Sequence, residues 1–297
     1  MVNRTHIAPS NRIEVMSHVH TLFRRFATLL ATALLAGILS ACGGGDDGPS
    51  VVNITATPLR YGQPAVFTLV GRDLLTANLR VRVSLCSGLT TEAGATEEQV
   101  RIGCRVSGTG TVQVDVLDAT DTLLLSKHFE VPAPQVQMET TLGMVTLELY
   151  PQDAPITVSN FLAYVKAGFY DGVLFHSVVK DFLVQGGGYS AGLVFKTPVF
   201  DPIALEFDRP LKHVRGTVGM ARKNTPNSAT SQFFVNLVDN PRLDFEGTAD
   251  PGYAAFGRVV DGMAVFDRMA TLPVATVGTL TTVPATEIRM ISVRQTR

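Results

Sequence analysis

The chain has no tryptophan, only three cysteines, and charged side chains at just 17% of its 297 positions, with a formal net charge of −1. Each shortage excludes something. A charge balance this close to zero sets up no field that would gather nucleic acid or an anionic membrane surface, so no nucleic-acid partner is expected. Neither Cys86 nor Cys104 stands beside a histidine or in a Cys-x-x-Cys spacing, which argues against zinc binding and thiol redox catalysis; no metal and no cofactor are expected. The glycine run Gln185-Gly186-Gly187-Gly188 lacks the lysine and hydroxyl that would make it a phosphate-binding loop. His176-Ser177 lacks the flanking glycines of a hydrolase nucleophile elbow. What the chain does have is abundant valine and threonine, punctuated by 26 glycines and 16 prolines. That composition favours β-rich domains over helical bundles.

The apolar run Phe26 to Leu39 follows Arg24-Arg25 and falls short of the roughly 20 residues that span a bilayer. A basic flank, a short apolar stretch and small residues at its end make a secretory signal over residues 1–41. The run closes in Leu39-Ser40-Ala41-Cys42, which resembles the bacterial lipoprotein cleavage box. Cys42 is then the expected lipidation site, with residues 42–50 as a Gly-rich tether and the membrane reached through the lipid anchor. Whether Met1 or Met16 is the start stays open. The expected location is the periplasm, lipid-anchored, with the outer membrane preferred because Gly43 rather than aspartate follows the cysteine. Setting Cys42 aside leaves Cys86 and Cys104, either a disulfide suited to an oxidising compartment or two free buried thiols.

Residues 51–131 alternate apolar and polar over short runs such as Val51–Thr55, Ala65–Leu69, Leu79–Val83 and Thr111–Val116, separated by turns at Tyr61-Gly62 and Ser107–Gly110. Several short strands at this spacing predict a small immunoglobulin-like β-sandwich, serving as a spacer or interaction module. Val131-Pro132-Ala133-Pro134 reads as a stiff linker. From residue 136 to 294 the pattern changes. Val136–Glu139 and Met144–Leu149 predict a hairpin around Thr141-Leu142-Gly143. Asp153-Ala154-Pro155 opens a helix with the acid near its positive end, Val158, Phe161, Leu162 and Val165 recur at helical spacing, and Gly168 stops it. A second short helix follows Gly262, with Met263, Phe266 and Met269 on one side.

Between these helices lie Phe175-His176, Gln185–Gly188, the stretch His213–Val235 with its Gln232-Phe233-Phe234 run, and Ala255–Met263. Occurring in this order, these motifs resemble the cyclophilin family of peptidyl-prolyl isomerases. The resemblance implies a mainly β fold: a closed antiparallel barrel of about eight strands capped by two helices. It also implies isomerase activity on X-Pro bonds of envelope proteins, with proline-containing polypeptides as partners; oligomeric state is left unspecified. Position by position it places the proline pocket at Phe182, Leu183, Phe234 and Leu243, with Gln232 and Tyr253 at floor and rim. Gln185 would hydrogen-bond the substrate backbone, the strand at Ala221-Arg222 would pair with the peptide, and His176 would support the wall. From spacing alone, Phe182, Phe234 and Leu243 are equally well ordinary core residues. Several positions depart from the family: Tyr253 stands where many relatives have histidine, and Lys180 and Asp181 where they often carry other residues. Ser177 stands where an arginine directly follows Phe-His, and Arg242 occupies a rim position that is usually aromatic. Ser177 implies weakened turnover, or alternatively a non-catalytic proline-peptide-binding or chaperone module; a third reading leaves the function to the sandwich and makes the barrel a passenger.

Overall fold

The computed structural model describes residues 48–247, 249 and 251–297. The expected signal segment, Cys42 and the tether as far as Asp47 lie outside them. Seven strands come first: β1 (Ser50–Ala56), β2 (Pro64–Arg72), β3 (Arg80–Val83), β4 (Cys86–Thr91), β5 (Gln99–Val106), β6 (Gly110–Leu117) and β7 (Leu123–Val131). They form a sheet β1-β2-β5-β4 and a sheet β3-β6-β7. The period-two alternation explains the pairing. Val112, Val114 and Val116 of β6 are fully buried while Thr111 and Gln113 face out, and the inward residues meet Ile54, Phe67, Leu69 and Ile102 of the other sheet in one core. This is the immunoglobulin-like sandwich. A disulfide joins Cys86 of β4 to Cys104 of β5, with Cα atoms 5.8 Å apart.

The second set comprises β8 (Gln135–Thr140), β9 (Gly143–Leu149), α1 (Pro155–Lys166), β10 (Leu174–Val179), β11 (Leu183–Gly186), β12 (Tyr189–Ser190), β13 (Val194–Phe195), β14 (Thr217–Met220), β15 (Phe233–Asn236), β16 (Ala255–Asp261), α2 (Met263–Thr271), β17 (Val274–Val277), β18 (Leu280–Pro284) and β19 (Ile288–Gln295). Eight of these strands close a barrel in the order β10-β11-β15-β14-β16-β9-β8-β19, and Leu174 opposite Arg289 joins its last strand to its first. Closure leaves no strand edge for another chain to template on. The interior is filled by Val136, Met138, Val145, Leu147, Val184, Val218 and Val235, against which Phe161 of α1 and Phe266 of α2 pack. Phe161 meets Phe233 edge to face at 5.4 Å.

The structure qualifies two local expectations. Asp153 directly precedes the Ala154 N-cap of α1, near its positive end as expected, but no side chain caps the helix there. Glu206, fifty residues further along the chain, takes that place: its carboxylate accepts from the amides of Ile156 at 3.1 Å and Thr157 at 2.8 Å, completing donors that the first turn leaves open. The second correction concerns β14, which ends at Met220; Ala221 and Arg222 follow it and are not strand. Ala221 already donates its amide to Gln232 O at 2.9 Å.

The sandwich is more than a spacer strung before the barrel. Tyr61 is buried in the barrel's own apolar core, and its hydroxyl lies 3.1 Å from Ser159 Oγ on α1. Gln63 donates to Gln295 of β19 at 3.1 Å, and Leu149 donates to Pro134 O at 2.9 Å, which ties the connecting segment to the barrel wall.

Candidate functional site

The Phe233-Phe234 pair shows how the site arises from strand geometry. Neighbouring residues in β15 point to opposite faces, so Phe233 enters the barrel core while Phe234 turns outward. Outside the barrel Phe234 meets Leu183 and Leu243 in a separate buried cluster, with Phe182, Ala221 and Tyr253 packed against it. Val184 makes the same switch beside Leu183, joining the interior. None of Phe182, Leu183, Phe234 or Leu243 belongs to the cluster that fills the barrel interior; for Leu183 and Phe234 strand parity is the reason.

A row of partners runs across four strands. Ser177 of β10 is opposite Gln185 of β11, Gln185 is opposite Phe234 of β15, and Phe234 is opposite Gly219 of β14. Cross-strand partners share a face, so these residues line one outer surface. Gly219 has to be bare: a Cβ there would stand 2.3 Å from Phe234 Cζ and 2.9 Å from His213 Cε1. Glycine at 188 serves a similar end, because a Cβ would meet the Gln232 amide at 2.6 Å. Gln185 Nε2 donates to Gln232 Oε1 at 2.8 Å, which fixes the Gln185 amide and leaves its carbonyl oxygen for another donor.

Beneath the aromatic surface lies a polar network that the sequence reading did not single out. His213, buried, stacks on Phe234 with ring centroids 5.5 Å apart. Its Nε2 is 3.0 Å from Tyr253 O and its Nδ1 is 3.1 Å from Asn236 Nδ2. Since a carbonyl can only accept, Nε2 carries the proton and Nδ1 accepts from the amide. Asn236 also donates to Thr217 Oγ1 at 2.7 Å, and Asn240 donates to Asn236 Oδ1 at 2.8 Å and to Phe182 O at 2.9 Å. The network links the backbone that carries Phe182 to the backbone that carries Tyr253. Burial holds the His213 pKa below the usual imidazole value. The available signal was Asn236 directly after Phe-Phe-Val and Asn240 directly before proline, two polar residues where the apolar pattern calls for none.

On β10 the surroundings differ. His176 is 3% exposed, its ring lies 4.6 Å from that of Tyr189, and its Nδ1 has no hydrogen-bond partner. Burial drives its pKa down to about 4, so the ring is neutral at neutral pH. Ser177 Oγ lies 2.7 Å from Thr282 Oγ1 of β18, whose hairpin with β17 runs beside β10. Two guanidinium groups sit at the rim: Arg242 lies 4.0 Å from the centroid of the Phe182 ring and Arg222 lies 4.8 Å from that of Tyr253. Among the described residues, no group of three or more His, Cys, Asp or Glu side chains could hold a metal ion.

Such a surface is suited to a chain segment with an apolar ring and a polar backbone. It sets an apolar cluster beside a Gln185 amide that is fixed by Gln232. Comparison with known proteins bears on the same segment. Residues 135–295, which span the barrel from β8 to β19, match the family described as cyclophilin type peptidyl-prolyl cis-trans isomerase/CLD. The chain is 44% identical over 172 residues to a peptidyl-prolyl cis-trans isomerase of Acinetobacter baylyi, covering 58% of this chain and 90% of that protein. It is 40% identical over 160 residues to peptidyl-prolyl cis-trans isomerase B of Escherichia coli, covering 53% of this chain and 97% of the relative. A solved cyclophilin type isomerase of Cryptosporidium parvum superposes with a TM-score of 0.47 at 26% identity, covering 56% of this chain and 99% of that one.

Proposed function

Since this chain belongs to the cyclophilin family of peptidyl-prolyl cis-trans isomerases, we propose that its isomerase site is the outer barrel surface around Phe234 and that its substrates are proteins of the cell envelope. The activity itself follows from the family: the protein is a peptidyl-prolyl cis-trans isomerase acting on proline-containing polypeptides. The reaction makes and breaks no covalent bond. Rotation about X–Pro is slow, tens to hundreds of seconds unaided, because amide resonance must be lost on the way through a twisted geometry. Catalysis therefore means holding the twisted form more tightly than either planar form.

The observation that carries this reading is the apolar cluster of Leu183, Phe234 and Leu243, set outside the barrel core and joined by Phe182 and Tyr253. It takes the proline ring. Gln185, held by Gln232, accepts from or donates to the neighbouring peptide group. The main chain at Ala221-Arg222 lines the groove, and His176 fills the wall behind as a neutral, buried ring. At Ser177 the family's arginine is replaced, and with it a charged donor to the prolyl nitrogen as that atom pyramidalises. Losing one preorganised donor costs on the order of 10²–10³ in rate, so the site binds proline segments better than it turns them over. That the Ser177 hydroxyl is engaged with Thr282 supports this reduced activity.

A protease-coupled isomerisation assay on wild type and Ser177→Arg tests the assignment. The variant is expected to gain at least tenfold in kcat/KM; no gain, with wild type already at the level of unmodified relatives, overturns the reduced-activity reading. The periplasmic, lipid-anchored location rests on the Leu39-Ser40-Ala41-Cys42 pattern, and the Cys86–Cys104 disulfide agrees with an oxidising compartment. Metabolic labelling with palmitate should mark the wild type and leave Cys42→Ala unlabelled; label on both, or on neither, rules the anchor out.

A further inference from the structure

We propose that Arg222 and Arg242 make this site selective for chains that carry a carboxylate within one or two residues of the proline. The inference rests on the outer barrel surface being the proline site. Phe182 and Tyr253 both pack on the Leu183–Phe234–Leu243 cluster, and each carries a guanidinium: Arg242 at 4.0 Å from the Phe182 centroid, Arg222 at 4.8 Å from that of Tyr253. Among the described residues, neither forms an ion pair with a carboxylate. Arg222 donates to three carbonyl oxygens, those of Gly252, Lys223 and Asn224, and Arg242 makes its contact with the ring. Of the carboxylates close in the chain, Asp239 accepts from the amide of Arg215 and Asp244 from that of His213, while Glu246 is exposed. Exposed Asp181 is offset by its exposed neighbour Lys180, and Lys223 adds a further exposed cation beside Arg222.

On a protein whose formal net charge is −1, the two guanidinium groups stand directly on the aromatic rings that border the apolar cluster. A guanidinium seated over an aromatic ring gives up part of its freedom before a ligand arrives; the planar fork of Arg242 still offers paired donors, while at Arg222, whose Nε and Nη1 already donate to carbonyls, Nη2 is left for a ligand. That geometry matches a carboxylate held bidentately. A lysine at the same substrate position meets like charge instead, so the rim both attracts and rejects.

The test is a set of short peptides with one Ala-Pro core, carrying Glu, Ala or Lys on either side of the proline, titrated into the full protein and followed by NMR shift changes. Affinity does not require turnover, so Ser177 does not obscure the result. At low salt the better-placed Glu peptide is expected to bind roughly fivefold more tightly than its Lys counterpart, with the ratio shrinking toward one at 0.5 M salt. Arg242→Gln and Arg222→Gln should each lower that ratio, and Arg242→Lys should restore part of it. A ratio near one at low salt, or a ratio unchanged in both glutamine variants, overturns the selectivity while Ala-peptide binding still upholds the site. If no peptide of any charge binds, the site assignment fails and takes this proposal with it.

Discussion

On the side of the cradle built by β14 and β15, the buried polar atoms of His213, Asn236 and Asn240 are tied to one another and to the backbone at Tyr253 and Phe182. On the β10 side, His176 Nδ1 is the buried side-chain polar atom left without a partner among the described residues, and next to it Ser177 reaches to a hairpin rather than toward the aromatic surface. The contrast separates two jobs. The first side holds shape, and there a lost partner strands a buried donor or acceptor at a cost of roughly 1–3 kcal/mol. The second side is where a charged donor would act on the substrate. A serine in that place leaves no buried charge behind and satisfies its hydroxyl locally, so folding tolerates it whatever it does to turnover.

Breaking the shape-holding side should therefore do the most damage. Gly219→Ala is expected to be the severest substitution, because its Cβ would overlap Phe234 at 2.3 Å and the ring has His213 stacked on it. Overpacking of this kind costs about 3 kcal/mol at its upper end, and isomerase activity should fall ~100-fold as Phe234 leaves its place. Urea denaturation and the coupled assay read both quantities; normal activity in this variant would place the proline site elsewhere. Asn236→Ala should come next. It strips partners from His213 Nδ1, Thr217 Oγ1 and Asn240 Nδ2 at once, a loss of about 2 kcal/mol with activity down by roughly a factor of ten. A cost as small as that of an exposed alanine substitution would mean that the network carries no load and that the contrast between the two sides is unfounded.

How much of this was readable in advance depended on whether neighbours in the chain were also neighbours in space. The hairpin Val136–Leu149, the helix with Val158, Phe161, Leu162 and Val165, and the short helix after Gly262 all announce themselves through local periodicity, and each appears where that periodicity puts it. The parity of Phe233 and Phe234 was not decidable from spacing, because either ring satisfies an alternating pattern until the register with β11 and β14 is known. Glu206 as the partner of the α1 terminus was hidden for a related reason: it sits in a segment without regular structure, and only tertiary closure brings it to Ile156 and Thr157. Asp153 was visible because it is adjacent to the helix it precedes. Ser177 was visible as a departure only through the resemblance. Its attachment to Thr282, more than a hundred residues away, depends on the β17–β18 hairpin, which no local pattern had suggested.

The smallest of the expected effects sharpens the comparison at its histidines. Burial lowers both imidazole pKa values, that of His176 to about 4, whereas an unfolded histidine titrates near 6.5. Between those two values the unfolded chain binds a proton that the folded chain does not, so the His176 contribution is whole above pH ~6.5, is lost progressively as pH falls, and levels off below ~4. Going from pH 7 to pH 6 should cost about 0.7 kcal/mol for His176 alone, with His213 acting in the same direction. The two should nonetheless differ in what protonation does. A proton on His213 Nδ1 displaces the donated bond from Asn236, while one on His176 Nδ1 displaces nothing and is opposed by burial alone. Denaturation midpoints at the two pH values, alongside an NMR titration of the ring resonances, resolve this. A His176 ring that titrates near 6.5 would mean that the β10 wall admits water, and the distinction between a sealed side and a reactive side would no longer stand.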